Sequence, residues 1–340
     1  VNFISYTGYD APLLDARFEY GSYNTYRALL SSGAVVGPFD YFVSLSHFST
    51  DGYREHSTQN NQRLFANLGY KINPELESRF YFAYAQTDSE LPGNLSEEQM
   101  DIDPRQAARV PANLRTLQPV ARFDYVTSDW KRDYTLLRVA NKTTWEIDDN
   151  RLSLSGFWSR KDLDHPILFV IDQLTNDFGV GFRNDYMADL FGHKNNFTLG
   201  FTPTWGYVSD SRYVNNFGSR GAKFADTDQF ALNLDAYALE QFWITPQWAA
   251  LAGLQVNYVE RTSTDNFPTG PDNSDSQNWW GFSPKLGVLY QPVEQVQFYA
   301  DASRSFEPPT FGELVEASDG QVGLVQLDAQ TGTTVEIGTR

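Results

Sequence analysis

The stretch that decides the fold is residues 228–263, DQFALNLDAYALEQFWITPQWAALAGLQVNYVERTS. Apolar residues recur at every second position on both sides of a short turn at Thr245 and Pro246. The two series are Phe230, Leu232, Leu234, Ala236 and Ala238, then Trp248, Ala250, Ala252, Leu254, Val256 and Tyr258. A period of two predicts two strands, each with one apolar and one mixed polar face.

The length of these predicted strands favours a membrane. Each runs to roughly 15 residues, whereas a strand of a soluble protein usually has ~5–6. Trp243 and Trp248 flank the turn and Tyr258 lies towards the far end, so aromatic residues bracket the apolar stripe. Strands that cross a bilayer within a barrel have this pattern, and Trp243 and Trp248 are expected in one interfacial girdle. A long hairpin in a soluble β-sandwich remains the alternative for this stretch alone.

Composition narrows the function classes. The chain has 340 residues and a net charge of −17, which argues against a nucleic-acid surface because such domains carry a basic patch. Aromatic residues make up 15% of the chain, more than a soluble core needs and typical of interfacial girdles. No apolar run approaches the length of a membrane helix, but strand alternation hides a barrel from such a search. The absence of cysteine excludes disulfides, thiolate metal sites and a cysteine nucleophile.

The spacing of the predicted turns separates sandwich from barrel. About 14 strands alternate between short and long connections. The short ones are residues 34–38, 73–75, 148–150, 191–194, 244–247 and 291–293, and the long ones are 50–59, 88–131, 161–175, 209–227, 263–278 and 307–331. Outer-membrane barrels have short periplasmic turns and long external loops. The prediction is therefore an all-β protein, a transmembrane antiparallel up-and-down β-barrel.

Many charged and amide side chains fall on the predicted inner face. They are Arg63, Asn67, Lys71, Arg138, Lys142, Asn233, Asp235, Gln255, Asn257, Lys285 and Asp301. A narrow barrel is filled by side chains, whereas a wide one holds water or a plug. This face predicts a wide lumen that is wet or plugged.

Residues 301–314, DASRSFEPPTFGEL, resemble a signature of TonB-dependent outer-membrane receptors, in which a strand ends in Ser-Arg-Ser-Phe before a Pro-Pro loop. The segment VNFIS at residues 1–5 resembles the last strand of that family's plug. YGSYNTYRA at 20–28 resembles its first barrel hairpin, and TTVEIGTR at 333–340 the strand after an external loop. LPGNLSEEQMDIDPRQA at 91–107 is similar to the ferric-citrate-type branch.

The resemblance implies a siderophore receptor whose 22-stranded barrel encloses a plug. Residues 1–9 then correspond to the tail of the plug domain, and residues 10–340 to the N-terminal two-thirds of the barrel. The chain is expected to lack the plug, its TonB-contacting segment and the last strands. The implied function is TonB-dependent uptake of a ferric siderophore or similar iron chelate in the Gram-negative outer membrane. The ferric chelate is transported cargo and no cofactor is expected. Other implied partners are the TonB complex and outer-membrane lipid or lipopolysaccharide.

Two alternatives change the function. One is a complete 14-stranded outer-membrane channel or lipid transporter, because outer-membrane barrels have even strand numbers. The other is a soluble β-rich binding protein, which predicts solubility without detergent and no lipid-exposed band.

No motif supports catalysis, and no metal site is predicted. The four histidines, His47, His56, His165 and His193, lack zinc-ligand spacing and are expected in solvated polar roles. Asp265, Asp272 and Asp275 lie in an acidic loop that has the oxygen ligands of a calcium site, but not EF-hand spacing. A solvated loop is the preferred interpretation.

The ligand hypothesis rests on cations and aromatic rings in the predicted external loops. Arginine makes bidentate contacts with carboxylates, and aromatic rings cover flat ligands. The candidates are Arg54, Arg105, Arg109, Arg160, Arg212 and Arg220, with Tyr53, Tyr213 and Trp279. The alternative is ordinary loop cations paired with nearby acids, such as Arg54 with Glu55.

Overall fold

The fold is one antiparallel sheet in which strands follow one another in chain order. A computed structural model describes residues 5–111, 113, 115, 120–316 and 323–340. Its first seven strands are β1 (Asp15–Gly21), β2 (Thr25–Val36), β3 (Phe39–Thr50), β4 (Gln59–Lys71), β5 (Leu76–Ser89), β6 (Asp133–Ile147) and β7 (Asn150–Pro166). The others are β8 (Phe169–Leu190), β9 (His193–Asn216), β10 (Ser219–Trp243), β11 (Trp248–Asp265), β12 (Asp275–Val293), β13 (Val296–Glu307) and β16 (Gln330–Thr339). These form a 14-stranded up-and-down sheet, and a two-stranded ribbon, β14 (Val315–Glu316) with β15 (Gly323–Leu324), lies before β16.

The few helices lie in the longest connections. Helix α1 (Glu97–Ile102) begins at a capping box, in which Ser96 and Gln99 each bond the other's backbone N–H. A 3-10 turn covers Val120–Phe123, and α2 (Phe311–Leu314) precedes the ribbon. Among the described residues, no helix has the length and hydropathy needed to cross a membrane.

The two ends of the sheet differ in their connections. Residues 37–38, 72–75, 148–149, 191–192, 244–247 and 294–295 form one end, here called the tight-turn end. Residues 22–24, 51–58, 90–132, 167–168, 217–218, 266–274 and 308–329 form the other, the wide-loop end. Every connection at the tight-turn end is short, as predicted, but residues 22–24, 167–168 and 217–218 at the wide-loop end are short as well, so connection length separates the two ends only in part.

Two of the predicted long loops are wrong. Residues 161–175 and 209–227 continue as paired strands, so that β8, β9 and β10 reach 22, 24 and 25 residues. The hairpin between β9 and β10 closes at Phe217 and Gly218, whose φ angles of 54° and 84° are left-handed, as a tight two-residue turn requires. These residues can continue as strands because polar side chains are tolerated on both faces of a strand that meets water, just as they are in a loop.

Each strand presents one apolar and one polar side. Cross-strand partners on one side include Leu68 with Phe80, Ala66 with Phe82, and Val256 with Phe282. This side, the apolar face, leaves large residues uncovered, with Phe282 57% and Leu286 66% exposed. The opposite side, the polar face, carries such pairs as Asp235 with Asn257, and Lys285 next to Asp301, whose Nζ and Oδ1 are 3.1 Å apart.

Trp243 corrects the predicted girdle. It pairs with Ala249, one position out of step with Trp248, which pairs with Tyr290. Because alternate residues point to opposite sides, Trp243 lies on the polar face and Trp248 on the apolar face. Trp248 stacks on Tyr290 with ring centroids 4.4 Å apart. Only Trp248 therefore belongs to the aromatic group on the apolar face.

The N-terminal segment packs against the polar face beside a buried ion pair. Asp40 is 1% exposed and accepts two hydrogen bonds from Arg79, at 3.0 and 2.8 Å. It also accepts one from the backbone N–H of Gly8, at 3.1 Å. Asn67 donates to Ser5 Oγ and the Tyr6 carbonyl. The predicted plug strand at residues 1–5 lies outside the described residues except for Ser5, and residues 5–7 are irregular.

Candidate functional site

The connections at residues 51–58 and 90–132 are fastened together at the wide-loop end. Arg54 makes the first set of hydrogen bonds between them. Its guanidinium donates to the carbonyls of Pro92 (3.1 Å), Gly93 (2.6 Å) and Gln106 (3.0 Å from both Nε and Nη2). Arg54, predicted as a ligand contact, therefore uses its donors on the backbone of the neighbouring loop.

Glu55 makes the second set of bonds between these loops. Its backbone N–H donates to the Arg105 carbonyl at 2.7 Å. Its carboxylate accepts from Arg109, at 3.1 Å for Nε, and Arg109 Nη1 lies 3.6 Å from the buried Asp124. The expected Arg54–Glu55 pair is not formed, because Glu55 bonds Arg109 and Arg54 bonds carbonyls.

The Glu55–Arg109 contact predicts a pH dependence of the loop. The hydrogen bond from Arg109 lowers the pKa of Glu55 below its ordinary 4.5. A lowered carboxyl pKa stabilises the folded loop above the unfolded value, and this contribution is lost as pH falls through the lowered pKa. We expect protease resistance of residues 90–111 to hold at pH 5–7 and to fall below about pH 4. An E55Q variant should lose this acid transition; an unchanged transition would contradict the assignment.

Tyr53 and Arg105 are brought together by this packing. The guanidinium carbon of Arg105 lies 5.5 Å from the centroid of the Tyr53 ring, within cation–π distance. Tyr23 adds a second ring at 5.6 Å, edge-on to Tyr53. In the described part of the chain no carboxylate pairs with the Arg105 guanidinium. Sequence reasoning missed Tyr23 because it lies in a different hairpin.

The two candidate arginines of the long hairpins, Arg212 and Arg220, both pair with aspartates. Arg212 Nε is 3.2 Å from Asp210, and Arg220 bonds Asp164 at 2.9 Å and also Asp172. Tyr213 lies under Arg220, 5.6 Å from ring centroid to guanidinium carbon.

Arg160 lies within β7, not in a loop. It pairs with Leu137 on the side of the strand that carries Trp158, which is the apolar face. Its side chain is exposed there. The expectation of a loop position for Arg160 is therefore wrong, because β7 extends to Pro166.

Trp279 lies on the polar face under the connection 308–329. Its indole Nε1 donates to the Leu327 carbonyl at 3.0 Å, and Gln277 Nε2 donates to the Val325 carbonyl at 3.1 Å. Arg261, the cross-strand partner of Gln277, is buried, and its partners among the described residues are carbonyl oxygens, those of Leu232, Glu260 and the Asn233 side chain. In the described part of the chain, no carboxylate pairs with Arg261. Arg261 was not among the predicted ligand residues because it lies in a strand, and the candidates were sought in loops.

The acidic loop at Asp265 bonds its own backbone. Asp265 accepts from the N–H groups of Phe267 (2.9 Å) and Asn273 (3.3 Å), and Asp272 accepts from Ser274 (2.9 Å). These bonds are those of side-chain-capped turns. Within the described ranges, the only metal-compatible cluster is a different one, formed by His56, Glu90 and Asp129.

A family profile described as TonB dependent receptor-like, beta-barrel, matches residues 5–340. The chain belongs to this family. It is a family of transport receptors of the outer membrane, not of enzymes.

Relatives within the family differ in what their names say they bind. The metal-pseudopaline receptor CntO of Pseudomonas aeruginosa strain UCBPP-PA14 is 28% identical over 222 residues, 59% of this chain and 29% of that receptor. The unliganded ferric citrate transporter FecA has a TM-score of 0.75 at 17% identity, covering 94% of this chain and 47% of that one. The siderophore receptor PiuA from Acinetobacter baumannii has a TM-score of 0.73 at 14% identity, covering 96% and 54%.

These matches establish the receptor fold. The chain spans less than a third of the CntO receptor and about half of each solved receptor. Structural likeness at 14–17% identity shows the fold alone. Assignment to the ferric-citrate-type branch therefore stays a prediction.

Proposed function

We propose that this chain forms part of the wall and external loops of an outer-membrane receptor that imports a ferric siderophore or similar metal chelate. Energy is passed to it by the TonB complex through a plug, of which residues 1–9 are the tail. Residues 10–340 supply about 14 strands of a 22-stranded barrel. Family membership over residues 5–340 supports this over a soluble β-rich protein. The cargo class is supported by relatives named for metal-chelate uptake.

The apolar face has the height of a membrane band. Two aromatic pairs lie on it, Trp248 with Tyr290 and Tyr258 with Trp280, their ring centroids 4.4 and 5.0 Å apart. Ten residues along β11 separate them, about 33 Å at ~3.3 Å per residue. A strand tilt of ~40° reduces this to about 25 Å, the height of the apolar band of outer-membrane barrels. The pairs are then the two aromatic girdles.

The lengths of the connections support one orientation. Trp248 lies beside the tight turn 244–247, so the tight-turn end faces the periplasm and the wide-loop end the exterior. The polar face lines the lumen, and its N-terminal segment leads towards the plug. On the outside, Arg160 lies two residues beyond Trp158 on the apolar face, where a guanidinium meets the phosphates of lipopolysaccharide.

The observation that carries the ligand class is the Tyr53–Arg105 pair. A guanidinium that is exposed, has no carboxylate partner among the described residues and lies over an aromatic ring suits an anionic chelate with flat groups. Arg261, with Trp279 and Gln277 beside the connection 308–329, offers a second cation on the path into the lumen. The acid-paired Arg109, Arg212 and Arg220 are weaker candidates, because an anion must compete with Glu55, Asp210 and Asp164.

Deleting the receptor gene and measuring growth and uptake on defined iron and metal chelates tests the proposal. We expect growth on one chelate to fail and complementation to restore it. If uptake of every chelate stays normal while uptake of a cobalamin or a sugar falls, the cargo class is wrong.

Once the imported chelate is known, its affinity for receptor variants tests the contact with Arg105. R105A should weaken its binding roughly ten- to a hundredfold, because a hydrogen bond to a charged group contributes about 1.5–3 kcal/mol. R160A is the matched control, since it removes an exposed arginine from the opposite face, and it should leave affinity unchanged. Equal losses in both variants would point to a non-specific charge effect.

A further inference from the structure

A histidine and two carboxylates meet where three segments of the wide-loop end converge. His56 lies in the connection 51–58, Glu90 directly follows β5, and Asp129 lies shortly before β6. One nitrogen or oxygen from each lies within 4.8 Å of the other two. The residues are 34 and 39 positions apart in sequence, so no spacing motif announces them.

The hydrogen bonds of His56 leave one ring nitrogen in an unfavourable position. The side chain of His56 is only 7% exposed, so solvent does not satisfy it, contrary to the solvated role expected from sequence. Its Nε2 lies 2.9 Å from the Trp130 carbonyl, which only accepts, so Nε2 carries a proton. In the neutral ring Nδ1 is then an acceptor. It faces Glu90 Oε1, another acceptor, at 3.5 Å.

Two acceptors that face each other in a buried site repel, and a cation between them removes the repulsion. A proton on Nδ1 is one solution, but charge-assisted N–H···O bonds are ~2.7–2.9 Å long, shorter than the 3.5 Å found here. A metal ion is the other. Ligand atoms ~2.0–2.1 Å from a tetrahedral zinc lie about 3.3 Å from each other, which is close to the observed separation.

The other carboxylate and the local backbone complete the set. Asp129 lies nearer the other ring nitrogen, its Oδ1 being 4.0 Å from His56 Nε2, and it joins the set because one ligand atom from each of the three residues lies within 4.8 Å of the other two. Glu90 is oriented by the Thr58 N–H, which donates to its other oxygen at 3.0 Å. The Lys131 ammonium, 3.5 Å from Asp129 Oδ2, lies next to the carboxylate oxygen that does not face His56.

We propose that His56, Glu90 and Asp129 bind a divalent first-row transition metal, such as Zn²⁺, as a resident ion that ties the loops together. Imidazole with carboxylates suits Zn²⁺, Co²⁺ or Ni²⁺, whereas Ca²⁺ and Mg²⁺ favour sets of oxygens alone. The ion is distinct from the transported chelate, so the site goes beyond the proposed transport function. Binding of the metal alone, without any chelator, tests it independently.

The experiment uses the full-length receptor, purified in detergent without a histidine tag and stripped with EDTA. Titration with Co²⁺, followed by its visible absorption and by calorimetry with Zn²⁺, should give one tight site per receptor. H56Q should weaken binding by more than about tenfold, since even indirect disturbance of a metal ligand reduces affinity 10–100-fold. E90Q and D129N, which keep size and hydrogen-bonding shape, should weaken it as well.

H165Q is the matched control. His165 also bonds a carbonyl of this segment, that of Lys131, but it lies outside the cluster. H165Q should bind Co²⁺ like the unaltered receptor. The proposal is overturned if the unaltered receptor takes up no metal, or if H56Q and H165Q behave alike.

Discussion

Replacing Asp40 by alanine should destabilise the receptor by about 3 kcal/mol, a change of roughly a hundredfold in the unfolding equilibrium. The expected loss is large because Asp40 is 1% exposed and Arg79 is left with its guanidinium largely buried. Glu77, 2.8 Å from Arg79 Nη2, still offsets part of that charge, which keeps the loss from being larger. Urea unfolding of the receptor in detergent, followed by tryptophan fluorescence, measures it.

Asp15→Ala is the control for the Asp40 prediction. Asp15 pairs with Arg17 at the same 2.8 Å, but the Arg17 side chain is 67% exposed. Exposed pairs contribute at most about 1 kcal/mol, so this variant should unfold almost as the parent does. The double variant D40A/R79A should recover part of the loss, because it leaves no unpaired buried charge. Equal losses for Asp40 and Asp15 would contradict the assigned role of burial.

Replacing Arg54 by alanine should release residues 90–111 from the loop 51–58 while the sheet stays folded. The variant removes four hydrogen bonds from a charged donor to the carbonyls of Pro92, Gly93 and Gln106. Such bonds contribute about 1.5–3 kcal/mol each, and losing the equivalent of two raises the open population by at least roughly a hundredfold. Cleavage by a glutamyl endopeptidase after Glu97 and Glu98 should speed up accordingly.

R105A separates fastening from binding. Arg105 belongs to the same loop, but its guanidinium contacts the Tyr53 ring and, among the described residues, donates to no backbone carbonyl. The R105A variant should weaken chelate binding without changing the cleavage rate. The R54A variant should raise the cleavage rate, and it should affect chelate binding only because residues 90–111 are released. If R54A leaves the cleavage rate unchanged, the four bonds do not hold the loop.

Sequence alone predicted the wall of this receptor well, because the wall obeys a period of two. The stripes at Leu232–Leu234 and Leu254–Val256 fall on one face, as the alternation requires. The signal fades towards the wide-loop end, where polar side chains occupy both faces of the long strands and alternation no longer separates apolar from polar. That is why residues 161–175 and 209–227 resembled loops although they pair in long hairpins.

The site was harder to predict, for a different reason. Backbone carbonyls bind Arg54, and carbonyls leave no signature in the residues that supply them. Arg261 lies within β11, where a cation resembles the other charged residues of the polar face. The Tyr53–Arg105 pair was predicted only as two separate candidates, since their contact depends on how two distant connections pack.

The order of the strands also has a consequence for assembly kinetics. Every pairing in the large sheet joins neighbours in sequence, apart from the ribbon that interrupts β13 and β16. The entropic cost of closing a loop grows only with the logarithm of its length, so most hairpins, whose connections are short, form with a small loss of entropy. The sheet can therefore grow one hairpin at a time from a single nucleus. The slowest additions should fall at β5–β6 and β13–β16, where the longest connections must close before pairing begins.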